Sequence, residues 1–287
     1  MSLKPVDLHT HGIGRFDTRT NDPAVIMKMA ELHGRRGTAS ILPTIYPGPR
    51  EAMRSQMEAV KRAIAMQESG RGMKGAARIL GLHLEGPFLN PAFCGALDSR
   101  ALRKPSLKEL KSLVAGFEDI IRIIVIAPEL PGALPLIQWC SERGINVNMG
   151  HSNATYEEAL AGKKAGARGI CHLFNAMRPF HHREPGITGL GLLDPEIYVE
   201  VIADGVHIRE KALELVFSVK RLDKIIVVSD TVAGTSRRGA VYAKGKVIAG
   251  SAVPLAETVS VLKSVGVPDA EIEEAMSDNP LRFIGLR

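Results

Sequence analysis

Short apolar runs alternate with longer amphipathic segments along almost all of the 287 residues of this chain. The short runs are rich in β-branched residues, as strands are, and apolar positions in the longer segments recur at helical spacing. Eight strands are predicted, at Val6–His9, Ala39–Pro43, Ile79–Glu85, Ile120–Ala127, Ile145–Gly150, Gly169–His172, Val199–Ala203 and Ile225–Ser229. Most are followed by a helical segment, which predicts an α/β fold of the (β/α)8 TIM-barrel type, with an open doubly wound sheet as the alternative.

Helices are predicted at Pro23–His33, Arg50–Glu68, Ser106–Ala115, Pro131–Arg143, Tyr156–Ala165, Arg209–Lys220, Pro254–Ser264 and Asp269–Met276. Proline at the start of several segments and glycine directly after others are typical of helix ends. The glycine-rich stretch around residues 235–250 is expected to form a loop or a small hairpin after the last strand. The first turn, HTHGIGRF, lacks the GxGxxG pattern, so a dinucleotide site is not expected.

Composition narrows the class of protein. Hydrophobic residues make up 45% of the chain and charged residues 24%, as in globular domains. No apolar run reaches the ~18 residues of a membrane span, and the opening MSLKP lacks a signal-peptide core. Three scattered cysteines without a CxxC pair favour a reduced, cytoplasmic protein. We therefore expect residues 1–287 to form a single barrel domain in the cytoplasm.

The chain is mildly basic, with a formal charge of +6. The lysines and arginines are spread along the sequence, and 5% aromatic residues offer few platforms for base stacking. Neither nucleic acid nor a membrane is therefore expected as a partner. The charge suits a small anionic substrate.

Polar residues of one chemical kind follow the predicted strands. They are His9 and His11 after the first strand, Glu85 after the third, His151 after the fifth, His172 after the sixth, Asp204 and His207 after the seventh, and Asp230 after the eighth. The carboxyl ends of barrel strands converge on one mouth, where active sites are built. The two histidines of an HxH pair lie on one face of a strand. Imidazoles and carboxylates together suit zinc or a similar divalent ion.

Each of these positions also has a plainer interpretation. A single histidine at a strand end is often a hydrogen-bonded structural residue, and an acid before glycine often forms a turn. Their joint placement favours the metal site. His33 is interpreted as a surface residue of a helix. His83 lies two positions before Glu85 on the same strand face, which indicates a residue that supports the site or belongs to the core.

Six motifs in order resemble the amidohydrolase superfamily and, within it, the N-acetylglucosamine-6-phosphate deacetylases. They are HLEGPF, GHSNATYEEA, HLFNAMRPFHHREPG, ADGVH, VSDT and NPLRFIGL. GHSNAT and HLFNAM together are specific, whereas HxH alone is not. The resemblance extends from Val6 to about Leu286.

The resemblance implies a metal site. Matched position by position, Glu85, His151 and His172 are expected to bind the main divalent ion. His9 and His11 match a pair that holds a second ion in some members, so the resemblance allows one ion or two. Zn²⁺ is the expected ion, with Fe²⁺, Mn²⁺, Co²⁺ and Ni²⁺ as alternatives.

The resemblance also implies roles around the substrate. Asp230 matches the general acid/base, and His207 matches a histidine that contacts the substrate. Asn175 and the backbone of Ala176 match the turn that contacts the substrate phosphate. Arg183 matches an arginine that reaches the phosphate bound by a neighbouring subunit, which implies a homodimer. The alternative for Arg183 is a surface ion pair with the adjacent Glu184.

The chain departs from the family pattern in two places. Leu97 stands where the family usually has a histidine, so a polar contact to the substrate is lost there. Family members also usually carry a small β-sandwich built from both termini, and this domain is expected to be essentially absent.

These features together predict a metal-dependent amidohydrolase. It is expected to remove an N-acetyl group from an amino-sugar phosphate by attack of a metal-activated water, with Asp230 as general base and acid. A second hypothesis keeps the metal and changes the substrate to a cyclic amide, an N-acyl amino acid or a deaminated base. A third is a non-catalytic barrel that acts as a binding module.

Overall fold

The chain forms a barrel of parallel strands in a computed structural model that describes residues 3–243 and 247–286. The barrel strands are β1 (Val6–Thr10), β2 (Ser40–Ile45), β3 (Leu82–Leu84, preceded by the two-residue strand Arg78–Ile79), β4 (Ile121–Ile126), β5 (Asn146–Met149), β6 (Gly169–Ile170), β7 (Tyr198–Ile202) and β8 (Ile225–Val228). Each strand pairs in parallel with the next one along the chain. The predicted (β/α)8 barrel is therefore confirmed, and the open-sheet alternative is wrong.

The barrel closes where β8 meets β1. The two strands make no continuous ladder; a parallel bridge joins Thr10 to Thr231 just beyond the end of β8. The Asp230 backbone N–H donates to the His9 carbonyl at 2.8 Å, and the His11 N–H donates to the Thr231 carbonyl at 2.8 Å. The closing seam is thus built from residues of the HxH pair and of the VSDT motif.

Ten α-helices are described. They are α1 (Pro23–Arg35), α2 (Arg50–Met66), α3 (Leu107–Val114), α4 (Ala133–Ser141), α5 (Tyr156–Lys164), α6 (Gly186–Leu193), α7 (Glu210–Val219), α8 (Val259–Ser264), α9 (Asp269–Glu273) and α10 (Asn279–Phe283). None of the helices in the described ranges has the length and apolarity that crossing a membrane requires.

The helix α6 was not predicted from the sequence. Its residues, GITGLGLL, include three glycines, which disfavour helices. Seven of the eight are buried, so the segment shows no alternation between apolar and polar faces. A β-carbon at Gly189 would lie 2.2 Å from Pro185 Cβ, and one at Gly191 2.9 Å from Ile170 Cδ1. Gly191 therefore permits close packing against the barrel strand β6, and Gly189 leaves room for Pro185 at the start of the helix.

The third strand is interrupted, although one continuous strand was predicted. Gly81 separates its two pieces with a φ of +144°, and a β-carbon there would lie 2.5 Å from the Ile120 carbonyl oxygen. A residue other than glycine would be strained in this conformation. The pairing of β3 with β4 also shifts register, between Leu82 and His83, before the chain reaches Glu85.

The amino-terminal end of the barrel is closed by its own apolar cluster. Residues of several strands meet there with Phe283 of α10, whose side chain is completely buried and lies 5.0 Å from the Tyr198 ring between ring centroids. This cluster fills the barrel interior below the polar mouth, so α10 serves as the floor of the barrel.

A small hairpin follows the last barrel strand, as the glycine-rich stretch predicted. Ala240–Tyr242 pairs with Ile248–Ser251 in antiparallel fashion, and positions 244–246 between them lie outside the described residues. The hairpin is fixed to the barrel because the Ser251 N–H donates to the Asp230 carbonyl at 2.9 Å.

The interpretation of His33 as a surface residue is wrong. Its side chain is completely buried between α1 and β1, with Nε2 3.0 Å from Thr10 Oγ1. Burial lowers the pKa of His33 to about 3. The helix places this face against the barrel wall, so a polar side chain enters the core.

Because the pKa of His33 is lower in the folded chain than its ordinary value of about 6.5, the unfolded chain binds the proton more tightly and acid favours unfolding. Between pH 8 and pH 5 this one residue is expected to lower the free energy of unfolding by about 2 kcal/mol. In His33→Gln that share of the pH dependence should disappear. Urea unfolding of both proteins at several pH values measures the difference, and parallel pH curves would contradict the assignment.

Candidate metal centre and active site

The polar mouth of the barrel opens into a cavity of about 390 Å³. It is lined by His11, Tyr46, Glu85, Gly95, Ala96, Leu97, His151, His172, Asn175, Ala176, His207, Asp230 and residues 247–249 of the hairpin. A larger hollow of about 650 Å³ lies at the opposite end of the barrel, near the start of β3. The groups of metal-binding side chains found among the described residues lie elsewhere, at the mouth and just beneath it.

Glu85 occupies the centre of the mouth. Its Oε1 lies 3.1 Å from His151 Nε2 and 3.3 Å from His172 Nε2, and the two imidazole nitrogens are 3.1 Å apart. All three residues are buried. Two ligand atoms bound tetrahedrally to one zinc ion, each about 2.0–2.1 Å from it, are roughly 3.4 Å apart. The observed spacing therefore fits a shared divalent ion.

His9 and His11 form a second set with Asp230. Their Nε2 atoms are 3.3 Å apart, and Asp230 Oδ1 lies 3.5 Å from the first and 3.7 Å from the second. Glu85 connects the two sets, because its Oε2 lies 3.2 Å from His11 Nε2 and its Oε1 3.5 Å from His9 Nε2. The structure thus offers donors for one ion or for two ions that share a carboxylate.

His151 and His11 have the tautomer that is typical of metal ligands. His151 Nδ1 lies 3.0 Å from the Phe93 carbonyl oxygen, and His11 Nδ1 lies 3.0 Å from the Thr44 carbonyl oxygen. A carbonyl oxygen only accepts, so Nδ1 carries the proton and Nε2 of the neutral ring presents a lone pair. Both lone pairs face Glu85 oxygens, and a cation between such acceptors makes the arrangement favourable.

Glu200 supports His9 from inside the barrel. It is a lone acid in the apolar strand β7, its Oε2 lies 3.5 Å from His9 Nδ1, and its Oε1 accepts from Asn148 Nδ2 at 2.7 Å. Burial opposes ionisation, but the hydrogen bond to His9 and the nearby histidines outweigh it and lower the pKa of Glu200. A carboxylate on Nδ1 holds the ring with Nε2 towards the mouth.

The backbone at the mouth adopts uncommon conformations. Six described non-glycine residues have φ in the left-handed region: His151 (46°), His172 (26°), Phe174 (75°), Ala176 (47°), Asp230 (49°) and Arg238 (52°). Five of them belong to the ends of β5, β6 and β8 at the cavity. Residues with side chains rarely take these angles, and such strain is concentrated at functional sites.

Asp204 holds His207 at the edge of the cavity. Asp204 Oδ2 accepts from His207 Nδ1 at 2.7 Å, and its Oδ1 accepts from the backbone N–H groups of Val206 and His207 at 2.8 Å each. Burial opposes a charge on His207, but the hydrogen bond to Asp204 and the charges of Asp204 and Asp230 outweigh it and raise the pKa of His207. The cavity edge therefore favours a cationic imidazole.

The structure places Asn175 and Ala176 in the cavity wall, whereas Arg183 lies outside it. Asn175 Nδ2 donates to the carbonyls of its own turn at 3.2 Å, which fixes the turn. The side chain of Arg183 is exposed, with Nη1 3.1 Å from His182 Nε2. The alternative of an ion pair between Arg183 and Glu184 is wrong within the described ranges, because Glu184 Oε1 instead accepts from the Tyr156 and Gly186 N–H groups.

Several residues of the mouth were missed from the sequence. Tyr46 stacks on the His11 ring at 3.7 Å between centroids, and the guanidinium of Arg19 lies 4.6 Å from the Tyr46 ring. Tyr46 follows β2 directly, so the strand-end pattern would have included it. Glu200 is the one charged residue in an otherwise apolar strand, and this contrast was also visible in the sequence. The sequence offers no comparable pattern for hairpin residues 247–249.

The chain shares sequence with known proteins over nearly its whole length, although no protein-family model matches it. It is 31% identical to N-acetylgalactosamine-6-phosphate deacetylase from Escherichia coli O157:H7, over 98% of the chain and 77% of that relative. The N-acetylglucosamine-6-phosphate deacetylase from Lysinibacillus sphaericus is 33% identical over 79% of the chain, which spans 57% of that relative. The chain belongs to the amino-sugar-6-phosphate deacetylase family of these relatives.

Solved structures of this deacetylase family have the same fold. The enzyme from Thermotoga maritima matches with a TM-score of 0.88 at 29% identity, over 99% of the chain and 79% of that structure. The enzyme from Pasteurella multocida matches with a TM-score of 0.90, also at 29% identity, over 99% of the chain and 76% of that structure. A dihydroorotase from Campylobacter jejuni, at 13% identity and a TM-score of 0.54, shares the fold alone. The resemblance inferred from the motifs is thereby confirmed.

Glu85→Gln removes the one negative charge that both donor sets share. We expect the purified variant to retain less than about a tenth of the divalent ion that the unchanged deacetylase-family chain retains after dialysis, because loss of such a ligand contact lowers affinity at least tenfold. Elemental analysis of both proteins measures this. Glu142→Gln, an exposed position at the end of α4, is the matched control and should retain the ion. Full ion content in Glu85→Gln would contradict the assignment.

Proposed function

We propose that this chain is a metal-dependent amidohydrolase that removes the N-acetyl group from an amino-sugar 6-phosphate, with N-acetylglucosamine 6-phosphate as the first candidate. The observation that carries the proposal is the convergence of Glu85, two histidine pairs and Asp230 on one cavity. Membership in the deacetylase family supports the reaction and the class of substrate.

We assign the metal to this chain's own donors. Glu85, His151 and His172 hold the main divalent ion, and His9 and His11 with Asp230 are placed for a second. When bound, such an ion polarises the substrate carbonyl and lowers the pKa of a water from about 15.7 towards about 7. Zn²⁺ is the proposed ion because it accepts both imidazole and carboxylate ligands, and Fe²⁺, Mn²⁺, Co²⁺ or Ni²⁺ are the alternatives.

Asp230 acts as the general base and then as the general acid. Its side chain is 14% exposed, towards the cavity, and Oδ1 lies 3.5 Å from His9 Nε2. The carboxylate takes the proton of the attacking water and delivers it to the nitrogen of the departing amine. An amine anion is a very poor leaving group, so the second transfer is needed for the C–N bond to break.

The phosphate of the substrate is bound by groups at the far side of the cavity. The turn of Asn175 and Ala176 contributes a rigid backbone, and His207 contributes an imidazole whose pKa is raised by Asp204. The exposed guanidinium of Arg183 reaches the phosphate bound by a neighbouring subunit, so the active form is a homodimer. Arginine suits this role because its guanidinium binds phosphate through two parallel hydrogen bonds.

Leu97 leaves the identity of the sugar open between two candidates. It lines the cavity and packs against Leu89, Val125 and Cys171, so it offers no hydrogen bond to a hydroxyl group. The Escherichia coli relative is named for N-acetylgalactosamine 6-phosphate and the Lysinibacillus sphaericus relative for N-acetylglucosamine 6-phosphate. Both amino-sugar phosphates are therefore proposed substrates.

The remaining hypotheses are less well supported. A non-catalytic barrel predicted a decayed ligand set, whereas the donors converge with metal-ligand spacing. A cyclic amide, an N-acyl amino acid or a deaminated base would use the same metal, but the relatives at 31% and 33% identity are named for amino-sugar phosphates. The single-domain organisation and the cytoplasmic location stay predictions.

Asp230→Asn keeps the shape of the side chain and removes its ability to take a proton. We expect kcat/KM for N-acetylglucosamine 6-phosphate to fall at least about 100-fold, because general base and acid steps contribute that much or more. The ion held by Glu85, His151 and His172 should remain. Asp119→Asn, an exposed aspartate at the other end of the barrel, is the matched control. An Asp230→Asn enzyme with half its activity would exclude Asp230 as the base.

Phosphate recognition predicts a large difference between phosphorylated and unphosphorylated sugars. We expect Arg183→Gln to raise KM for the phosphorylated substrates about tenfold and to leave the unphosphorylated sugars unchanged, because a charge-assisted hydrogen bond is lost. Steady-state kinetics with the N-acetylated glucosamine and galactosamine, each with and without the 6-phosphate, measures this. Arg221→Gln, an exposed arginine before β8, is the control.

The dimer is tested with the same variants. Mixing Arg183→Gln with Asp230→Asn subunits should restore the low KM for the phosphorylated substrates that Arg183→Gln alone has lost, because one site of each mixed dimer combines an intact Asp230 with an intact Arg183 from the other subunit. Equal rates for phosphorylated and unphosphorylated sugars would overturn phosphate recognition, and no restoration on mixing would place Arg183 in its own subunit's site.

A further inference from the structure

Five side chains at the seam between β1 and β8 form a continuous row that the mechanism above does not use. His33 Nε2 lies 3.0 Å from Thr10 Oγ1, which lies 2.7 Å from Thr231 Oγ1. Thr231 Oγ1 lies 3.1 Å from Ser229 Oγ, which lies 2.5 Å from Asp7 Oδ2. None of the five residues is more than 1% exposed. Water therefore does not complete their hydrogen bonds from bulk solvent.

Ser229 fixes the Asp7 end of the row. Asp7 Oδ1 accepts from the Ser229 N–H at 3.1 Å and from the His9 N–H at 3.3 Å, as a carboxylate does. The Ser229 hydroxyl proton points at Oδ2, because this contact is the shortest in the row. Ser229 Oγ is also placed as the donor in its 3.1 Å contact with Thr231 Oγ1, and it accepts from the Thr231 N–H at 3.1 Å.

The His33 end fixes the direction of the other two contacts. His33 Nδ1 has no partner among the described residues, so Nε2–H donates to Thr10 Oγ1 and Nδ1 presents a bare lone pair. The opposite tautomer would bury an Nδ1–H without an acceptor, and buried donors are rarely left unpaired. The Thr10 hydroxyl then donates to Thr231 Oγ1 at 2.7 Å.

We propose that these five residues form one hydrogen-bond chain, in which His33 donates to Thr10, Thr10 donates to Thr231 and Ser229 donates to Asp7. This chain positions Asp230 against His9 and His11. The catalytic part of this inference rests on the function proposed above. Thr10 is the middle residue of the HxH pair, and Ser229 and Thr231 flank Asp230. The chain therefore holds both sides of the seam without touching the substrate.

The geometry shows how the chain acts on the site. It lies beside the backbone hydrogen bonds from Asp230 to His9 and from His11 to Thr231, each 2.8 Å long. The left-handed backbone of Asp230 relies on its two neighbours for support, since φ of 49° is unfavourable for a residue with a side chain. We expect the loss of one hydroxyl to make the distances from Asp230 to His9 and His11 more variable, while the fold persists.

The hydrogen bond from His33 to Thr10 has a spectroscopic test that does not depend on activity. In protein labelled with ¹⁵N-histidine at pH 8, we expect His33 to be neutral with its proton on Nε2, and its resonance is assigned by comparison with His33→Gln. A proton on Nδ1 would overturn the donation from His33 to Thr10 and with it the chain. This measurement uses the unchanged protein, so it does not require that any variant of the seam folds.

The positioning role is tested with isosteric variants. We expect Thr10→Val and Thr231→Val each to lower kcat about tenfold or more, with KM within about twofold and unchanged ion content, because small misplacements of a reacting group are costly. Thr10→Ser and Thr231→Ser keep the hydroxyl and should restore kcat. The double Thr→Val variant should lose no more than either single variant, because both hydroxyls belong to one hydrogen bond.

Thr258→Val is the matched control, since its buried hydroxyl donates to the Leu255 carbonyl at 2.8 Å away from the seam. Its kcat should stay unchanged. A normal kcat in Thr10→Val and Thr231→Val, no rescue by serine, or an equal loss in Thr258→Val would overturn the positioning role. If the unchanged protein deacetylates none of the amino-sugar phosphates, the proposed function fails instead. The tautomer of His33 then still decides whether the chain exists.

Discussion

The donor atoms at the barrel mouth lie 3.1–3.7 Å from one another, and unprotonated nitrogens and carboxylate oxygens at that separation repel unless a cation or a proton lies between them. Three of the four histidine rings are held in place from behind. The Phe93 carbonyl lies behind His151, the Thr44 carbonyl behind His11 and the Glu200 carboxylate behind His9. The fold thus supplies a scaffold that keeps like groups together, and a divalent ion supplies the attraction that makes their approach favourable.

The closing seam of the barrel serves the chemistry as well as the fold. Parallel barrels must join their last strand to their first, and here a few backbone hydrogen bonds around Asp230 and Thr231 make that joint. The hairpin after β8 is fixed to the same backbone, so the cavity wall and the general base share one support. The buried hydroxyl groups along this short seam help to fix the register between β1 and β8, because side-chain hydrogen bonds in a dry interior are strongly directional.

Metal chemistry and substrate choice are located in different parts of the molecule. The ligands stand at the ends of regular strands, where the barrel fixes them. The residues that meet the sugar and its phosphate stand on loops and on the hairpin, as Leu97 and Asn175 show. Loops vary without disturbing a barrel, so this division allows related chains to keep one reaction while changing the sugar that they accept.

The barrel and the metal ligands were predictable because both are local patterns. A strand that ends in histidine or glutamate is visible within a few residues, and parallel topology then brings the strand ends together. The helix α6 was not predicted because a buried helix has no polar face. Its glycines are required by close contacts with neighbours such as Pro185 and Ile170. Gly81 likewise interrupts β3 because of a carbonyl in the next strand.

The sequence by itself determined the fold class, the order of the elements and the kinds of atoms that meet at the mouth. The tertiary structure alone decided which partner stands behind each of them. His33 became a core residue through Thr10, and Glu200 came to support His9 from 191 positions away. The physical reason is that burial and hydrogen bonding depend on residues far apart in the chain. Hydrophobic period and strand-end chemistry, in contrast, are written within each element.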